Sequence, residues 1–459
     1  MNFEELKALL FVRSNFGMKL GLEAMHMALA ELGNPERATP ALHVAGTNGK
    51  GSTCAFAEAA LRAAGLRTGL YTSPHLTHFC ERIRLGGEPI TEARACELLE
   101  EIRSRVPWAL GDPGLTFFEI VTLMAFLAFR EVDVMVIEVG LGGRLDATNV
   151  LEAPRACAIA SLGLEHMQYL GPTLAHIAAE KAGIFKRGVP AVSAGQPIVA
   201  ARVLQAKADE LGIPLARPGR DYQFESREVR PFCYQGPRWT VRSIGGAGFA
   251  GDGRSAEARS IGGAGFAGDG RSAEARSIGG SLALQGHHQR TNAALACALL
   301  EASLLPLTPR QVEQALMTAQ WPGRLERIAS ADGEVWVDGA HNPHAAAALA
   351  RSLPQLACGR PVRLVFGALQ DKDVAAMLRE LAPHVSSVHY CAPDSPRALP
   401  PDELTMIHPG QAHQSVEAAL AAARREQGMI LCCGSLYLVG EVRTLLQGSG
   451  RTKMPSERL

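Results

Sequence analysis

The stretch HVAGTNGKGST, residues 43–53, joins a short apolar run to the helix-like run CAFAEAALRAAG. Its three glycines let the backbone approach an anion closely, and the first N–H groups of the following helix point at the same place. Lys50 adds a positive charge, while Ser52 and Thr53 carry hydroxyl groups that can reach a bound Mg²⁺. The stretch predicts a phosphate-binding loop; the alternative is a plain glycine turn before a helix. The residues expected around the phosphates are Gly46, Thr47, Asn48, Gly49, Lys50, Gly51 and Ser52.

Short apolar, β-branched runs alternate with amphipathic helical runs along the whole chain. PALHVAG, DVMVIEVG and ACAIASLG are typical of the first part, and EVWVDGA, RLVFGAL and MILCCGS of the second. This alternation predicts an α/β fold with parallel sheets covered by helices on both faces. At 459 residues the chain is too long for one ordinary core. We expect two domains, with the boundary near residue 306, where LLPLTP interrupts the helical pattern.

The composition argues against nucleic acid or a membrane as a partner. Lys plus Arg and Asp plus Glu are equal at 46 each, so no net charge attracts either polyanion. The most apolar helical run, FFEIVTLMAFLAF, is too short to span a bilayer, and the N-terminus has no export signal. The ten cysteines follow no metal-ligand spacing and are typical of reduced thiols. We expect a soluble cytoplasmic protein and, without a heptad seam, a monomer.

A glycine-rich segment interrupts the pattern. RSIGGAGFAGDGRSAEA occupies residues 242–258, recurs unchanged at 259–275, and begins a third time at 276. Identical copies indicate a recent tandem duplication, because packed terminal repeats need different residues. The alternative, a nucleotide-binding glycine loop, lacks the strand and helix on either side. We expect residues 242–280 to form a mobile surface insertion in the first domain.

Further stretches accompany the glycine loop in a fixed order. They are YTSPHL (71–76), LTFFE (115–119), EVGLGGRLDATN (138–149), GLEHMQYLG (163–171), EKAGIF (180–185), NAALA (292–296), WPGRLE (321–326) and DGAHNPHA (338–345). Together they resemble the Mur ligase superfamily and, within it, the folylpolyglutamate synthase family, especially the bacterial bifunctional form that also has dihydrofolate synthase activity. The resemblance covers nearly the whole chain except the duplicated segment. It implies an N-terminal P-loop-type parallel-sheet ATPase domain at 1–305 and a smaller Rossmann-like C-terminal domain at 306–459.

The implied reaction is ATP-dependent addition of L-glutamate to dihydropteroate, to the γ-carboxyl of reduced folates, or to both. A carboxylate does not react with an amine at neutral pH, whereas an acyl phosphate made with the γ-phosphate of ATP does. That transfer needs its negative charges neutralised, which suits Mg²⁺ and Lys50. The resemblance implies two Mg²⁺ ions, with Ser73, Glu138, His166 and a carbamylated Lys181 as ligands, and Lys50, His166 and Lys181 as catalytic groups.

Each ligand has an ordinary alternative when taken alone. Ser73 suits a turn before a proline, Glu138 a solvated strand end, His166 a packed loop, and Lys181 an exposed helix face. A carbamylated lysine would give a hard cation the oxygen ligands it prefers, which an ammonium group does not.

The resemblance also assigns part of the nucleotide site to residues far along the chain. It implies that Asn292 lies near the base, that Arg324 reaches the phosphates, and that Asp338 meets the ribose. Alternatively, Asp338 and His341 belong to a turn at a strand end that caps the next helix through Asn342 or His341. Both roles are compatible.

The pterin substrate is expected at two further stretches. The resemblance implies contacts from Thr116, Phe117, Phe118, Glu119, Leu145, Asp146 and Ala147. Aromatic rings can stack on a flat pterin, and a carboxylate can accept its N–H groups. The alternative is that FFEIVTLMAFLAF forms only a core helix, which is the stronger interpretation for most of its residues.

The sequence departs from the family pattern in places and leaves two other functions open. Glu165 stands where the family usually has Asp, and QGHHQ at 285–289 varies the run before Asn292. A peptidoglycan-precursor ligase shares the glycine loop and the lysine, but is expected to lack SPHL and LTFFE and usually carries a further N-terminal domain. An ATP-binding protein whose site the duplication has impaired is the other alternative.

Overall fold

A computed structural model describes residues 1–14, 21–112, 114–226, 231–242, 282–330 and 333–448. The duplicated segment predicted at 242–280 lies, except for Arg242, outside the described residues. The strands of the first domain are β1 (Ala41–Ala45), β2 (Thr68–Tyr71), β3 (Ile83–Leu85), β4 (Glu88–Pro89), β5 (Val134–Glu138), β6 (Ala156–Ile159), β7 (Ala191–Ser193), β8 (Leu215–Ala216), β9 (Gln223–Phe224), β10 (Cys233–Gln235) and β11 (Thr240–Arg242). Its helices are α1 (Phe3–Ser14), α2 (Glu23–Glu31), α3 (Lys50–Ala63), α4 (Glu92–Arg105), α5 (Phe117–Ala128), α6 (Met167–Leu170), α7 (Leu174–Ala182), α8 (Ile198–Leu211), α9 (His287–Ser303) and α10 (Pro309–Thr318).

The main sheet of the first domain is mostly parallel. Within the described residues its strand order is β4-β3-β2-β5-β1-β6-β7-β8, with β3 and β4 antiparallel at one edge. Leu42 and Val44 of β1 pack into the core beneath α3, α9 and α10, whereas Ala41 and Ala45 face the helices on the other side. All of β1 is buried, as expected for a strand covered on both faces. The predicted parallel sheet is confirmed.

Helix α10, which follows residue 306, packs with the core of the first domain. LLPLTP forms the turn between α9 and α10, where the Thr308 side chain caps α10. Val312, Leu316 and Ala319 then pack into the same core as α3 and α9. The predicted boundary at 305/306 is therefore an interhelical turn, and we propose that the boundary follows Ala319. The proline and capping signals mark a turn without indicating which core receives the next helix.

The second domain is a smaller parallel α/β unit. Its strands are β12 (Glu326–Ser330), β13 (Gly333–Val337), β14 (Val362–Phe366), β15 (Ser387–Tyr390), β16 (Gln411–Ala412) and β17 (Met429–Cys433). Its helices are α11 (Pro343–Ala357), α12 (Val374–Leu381), α13 (Pro401–Ile407), α14 (Val416–Arg424) and α15 (Leu436–Gln447). The strand order is β12-β13-β17-β14-β15-β16, and β12 alone of these described strands is antiparallel to its neighbour. In the portions that the structure covers, no helix is long and apolar enough to cross a membrane.

Candidate active site

The glycine loop lies at the carboxyl edge of the first sheet, between β1 and α3. Gly49 is the N-cap of α3 with a φ of 90°, a conformation that favours glycine. A Cβ at Gly49 would lie 2.2 Å from the Oδ1 atom of Asn292 on α9. The N–H groups of Thr47 and Asn48 each donate to the carbonyl oxygen of Ser161, at 3.0 Å, which fixes the loop beside β6. The predicted strand, loop and helix are therefore all present.

A cavity of ≈ 380 Å³ lies between the domains, and both contribute to its walls. Many residues predicted for the nucleotide and metal line it: Thr47, Asn48, Gly49, Lys50, Gly51, Ser52, Ser73, Glu138, His166, Asn292, Arg324 and Asp338. Gly46 and Lys181 lie beneath the loop, joined by a hydrogen bond from Lys181 Nζ to the Gly46 carbonyl oxygen at 2.8 Å. The fold thus collects residues separated by nearly three hundred positions around one space.

Lys50 and Glu138 face each other across the floor of the cavity. Their Nζ and Oε1 atoms are 4.0 Å apart, and Glu138 Oε2 accepts the Ser73 N–H at 3.2 Å. Burial raises the pKa of Glu138, while Lys50 and the Ser73 N–H act in the opposite direction. A buried carboxylate with so little direct pairing is a suitable oxygen ligand for a hard cation. Glu138 is buried and is not the solvated strand end considered as an alternative.

His166 contributes a neutral nitrogen at the edge of the cavity. Burial lowers the pKa of His166 to about 4, although the neighbouring Glu165 acts in the opposite direction. A neutral imidazole is the form that binds a metal. Within the described ranges, no three His, Cys, Asp or Glu side chains are arranged to hold a metal. The predicted ligand set contains two such residues and depends otherwise on the Ser73 hydroxyl and a modified lysine, so its oxygen-rich chemistry fits Mg²⁺.

Lys181 is buried on α7 beneath the glycine loop. Burial and the charge of Lys50 lower the pKa of Lys181 to about 7. A large part of this amine is therefore uncharged at neutral pH, and an uncharged amine is the form that attacks carbon dioxide. The alternative of an exposed helical lysine is wrong.

The second domain builds its wall of the cavity from the turn after β13. Asp338 accepts the N–H groups of Leu325 and Ala340, each at 2.8 Å, and so holds the turn closed. The Arg324 guanidinium packs against Gly339, where a Cβ would lie 1.9 Å from Nη1. Asp338 therefore combines the predicted place at the nucleotide cavity with the structural role given as its alternative.

The turn also contains contacts that sequence reasoning missed. Asn342 caps α11 by accepting the Ala345 N–H at 2.8 Å, as one alternative anticipated. Its side chain also exchanges hydrogen bonds with Asn48 of the other domain. Lys372, in the loop after β14, lies 3.9 Å from the Glu165 carboxylate. The unusual Glu at position 165 was the sequence signal that pointed here, but not to these partners.

The stretches predicted for the pterin lie outside the walls of this cavity. Thr116 and Glu119 form a capping box at the start of α5, in which Glu119 Oε2 accepts the Thr116 N–H at 2.7 Å. Phe117 is buried in the core, whereas Phe118 is half-buried and packs against Gly140. The predicted pairing of Glu119 with a pterin thus competes with the helix cap that its carboxylate already makes.

The second stretch predicted for the pterin, residues 145–147, also contains both buried and half-buried residues. Asp146 accepts the N–H groups of Leu141 and Thr148, at 2.8 and 3.0 Å, and burial raises its pKa. Ala147 is buried, while Leu145 is half-buried at the same edge of the sheet. Phe118 and Leu145 are therefore the members of the two stretches with accessible apolar surface.

Residues 323–436 match the family model of the Mur ligase glutamate ligase domain. The chain is 35% identical over 432 residues to the folylpolyglutamate synthase of Lacticaseibacillus casei, covering 92% of this chain and 93% of that protein. The chain belongs to the folylpolyglutamate synthase family. This membership confirms the resemblance and favours it over the peptidoglycan-precursor ligases.

Solved structures of the family have the same fold. E. coli FolC in complex with DHPP and ADP aligns with a TM-score of 0.82 at 31% identity, covering 98% of both chains. A bifunctional folylpolyglutamate synthase/dihydrofolate synthase with Mn, AMPPNP and L-glutamate bound aligns with a TM-score of 0.79 at 32% identity, covering 97% of this chain and 98% of that one. The two-domain α/β architecture is thereby confirmed over almost the whole chain.

Proposed function

We propose that this chain is an ATP-dependent ligase that adds L-glutamate to dihydropteroate, to the γ-carboxyl of reduced folates, or to both. Family membership supports the reaction class. The observation that carries the proposal is the interdomain cavity, in which the glycine loop and Lys50 of one domain face Arg324 of the other. ATP and a divalent cation are its cofactors, in keeping with relatives solved with ADP, AMPPNP and Mn.

The reaction needs two displacements. A carboxylate oxygen of the acceptor attacks the γ-phosphorus of ATP and ADP departs, which leaves an acyl phosphate. The glutamate amine then attacks the acyl carbon, inorganic phosphate departs, and the amine loses a proton. Lys50 and Arg324 line the cavity from opposite domains and supply positive charge where the phosphoryl group moves. Because both domains line the cavity, their closure over bound substrates would keep water from the acyl phosphate.

Ser73, Glu138 and His166 would hold one Mg²⁺, and carbamylated Lys181 a second. A bound divalent cation supplies charge neutralisation for the phosphate oxygens. Carbamylation joins the Lys181 nitrogen to the carbon of carbon dioxide and releases a proton, so a carboxylate replaces the cation. Magnetic resonance with isotope-labelled bicarbonate is expected to show a carbamate signal that is missing in Lys181→Arg. A fully active wild-type enzyme without that signal would contradict the modification.

The pterin is proposed to bind through the accessible apolar surface of Phe118 and Leu145. Both lie at the edge of the first sheet, and Phe118 packs against Gly140, which lines the cavity. An aromatic face suits a flat heterocycle. We also propose that the enzyme is a cytoplasmic monomer; sedimentation of the purified protein tests the monomeric state. Its ten cysteines, all within the described residues, are free thiols.

The deciding experiment measures ADP release with Mg²⁺, ATP and L-glutamate, comparing dihydropteroate with tetrahydrofolate as acceptor. Turnover with both acceptors supports the bifunctional reaction, and turnover with tetrahydrofolate alone restricts it to extension of the glutamate tail. Lys50→Met is the matched inactive control. Should neither acceptor support turnover, deletion of residues 242–275 separates the remaining possibilities: restored activity identifies a site impaired by the duplication, and continued inactivity rejects the folate reaction.

A further inference from the structure

Two asparagine side chains join the domains directly at the glycine loop. Asn342 Nδ2 donates to Asn48 Oδ1 at 3.0 Å, and Asn48 Nδ2 donates to Asn342 Oδ1 at 3.2 Å. Asn48 Nδ2 also lies 2.8 Å from Nδ1 of His344, on the first turn of α11. The loop that is proposed to bind phosphate is thus held against the start of a helix in the other domain.

Glu165 makes a second set of contacts across the same interface. Its Oε1 atom lies 3.2 Å from both Asn342 Nδ2 and His341 Nε2, and 3.9 Å from Lys372 Nζ. The side chain of Glu165 is only 10% exposed. Hydrogen bonds to a charged acceptor are stronger than neutral ones, and burial of the carboxylate makes these partners necessary. Asn342 takes part in both sets.

The linker between the domains is closely packed and has a defined backbone conformation. Trp321 packs so closely on the first turn of α3 that a Cβ at Gly51 would lie 2.9 Å from its ring. Gly323 and the buried Leu325 have φ values of 72° and 46°. Left-handed backbone at a non-glycine residue is costly and is retained where the surroundings enforce it. Because the contacts of Asn342 with Asn48 and Glu165 join the two domains, any separation of the domains at the glycine loop would break them.

We propose that Asn48, Glu165 and Asn342 form an interdomain clasp that holds the two domains in the arrangement which completes the nucleotide cavity. Asn342 is a positioning residue: it acts through Asn48 and Glu165 and through the orientation of α11. The contacts that hold the domains together do not depend on the reaction. Their effect on nucleotide binding and turnover rests on the proposed function.

Asn342→Asp separates the clasp from the helix cap. Aspartate caps helices as well as asparagine does, so the Ala345 N–H keeps its acceptor. The amide donor, however, becomes a carboxylate facing the acceptors Asn48 Oδ1 and Glu165 Oε1. Asn342→Ser is the second variant, because it also keeps a cap but has no amide to reach across. Ser415→Asp is the matched control, since Ser415 caps α14 in the same domain and does not line the cavity.

The first experiment measures the affinity for AMPPNP and the radius of gyration. We expect Asn342→Asp to bind AMPPNP with Mg²⁺ about tenfold more weakly than wild type, and Asn342→Ser to weaken it in the same direction. Small-angle X-ray scattering with AMPPNP present is expected to show a larger radius of gyration for both variants and no change for Ser415→Asp. Wild-type affinity and wild-type scattering in both Asn342 variants would overturn the clasp.

The second readout is rescue. In Asn342→Asp combined with Glu165→Gln, the new amide donates to the new carboxylate, so part of the affinity for AMPPNP is expected to return. A merely structural role of Asn342 predicts additive losses instead. If the protein releases no ADP with any acceptor, even after deletion of residues 242–275, but the Asn342 variants still change scattering as expected, the proposed reaction is rejected and the clasp stands. If glutamate-dependent turnover is normal and the losses of AMPPNP affinity are additive in the double variant, the clasp is rejected and the proposed reaction stands.

Discussion

Helices α3 and α5 both begin at a loop near the carboxyl edge of the first sheet. They differ in which groups accept hydrogen bonds from the backbone N–H groups of the first turn. The N-cap of α3 is Gly49, which has no side chain to accept the first N–H groups, and this turn faces the cavity. The N-cap of α5 is Thr116, and together with Glu119 it satisfies the first turn within the chain. An N-terminus without a side-chain cap remains available to an anion, whereas a capped one is already satisfied. The first turn of α3 is therefore open to an anion, whereas the contact of LTFFE with a pterin stays a prediction.

The largest effect is expected from giving the first turn of α3 a side chain. Gly49→Ala introduces a Cβ at a φ of 90° and in collision with the Asn292 side-chain amide, so the loop or that side chain must move. A displacement of this size is expected to lower kcat/KM for ATP about 100-fold. Gly65→Ala, at the other end of α3, is the matched control, because its φ is 83° but no atom lies within 4 Å of the new Cβ. Equal losses in both variants would show that backbone strain alone is responsible.

A buried histidine on β1, the strand that leads into the glycine loop, is expected to destabilise the fold when it is protonated. His43 on β1 shares a hydrogen bond of 2.9 Å with Thr148 Oγ1, which donates to Asp146, and His43 Nδ1 is buried without a partner among the described residues. Burial lowers the pKa of His43 to about 3. The unfolded chain, with a pKa of about 6.5, therefore takes up the proton first as the pH falls.

His43 thus contributes stability that is present above about pH 6.5 and is lost as the pH falls towards 3, by at most about 1.4 kcal/mol per pH unit. Denaturant unfolding at several pH values is expected to give a steeper loss for wild type than for His43→Gln between pH 6 and 4. Parallel curves for the two proteins would contradict a neutral His43 in the fold.

A smaller effect is expected from removing the side-chain cap of α5. Thr116→Val keeps the shape of the side chain but removes the Oγ1 atom that accepts the Glu119 N–H at 3.3 Å. The free energy of unfolding is expected to fall by about 1 kcal/mol, measured by urea unfolding. The glycine loop should bind ATP as it does in the wild type, so an unchanged KM for ATP is the internal control. A stability equal to wild type would mean that the cap contributes nothing.

The smallest effect is expected from Glu119→Gln, which tests the pterin contact directly. Glutamine also serves in a capping box, so stability should change by less than about 0.5 kcal/mol. If the carboxylate only caps α5, KM for dihydropteroate also stays at its wild-type value, whereas Phe118→Ala raises it. A large rise of KM in Glu119→Gln would support the predicted contact between this carboxylate and the pterin.

Local features of the sequence predicted much of the fold. Alternating runs predicted both parallel sheets, and glycines around Lys50 predicted the strand, loop and helix, because each signal depends on neighbouring residues alone. The turn signal LLPLTP could not place the domain boundary, because it marks a turn equally well inside a domain or between domains. Only the packing of Val312 and Leu316 against α3 assigns α10 to the first core.

The sequence by itself determined the fold class and the family, because ordered motifs and periodic apolar residues retain that information without coordinates. The tertiary structure alone decided which polar side chains meet. It buried Lys181 under the glycine loop, committed Glu119 to a helix cap, and paired Asn48 with Asn342 across 294 residues. Burial and partner choice depend on elements that are distant in the chain, and these set the pKa of a side chain and the availability of its donors and acceptors.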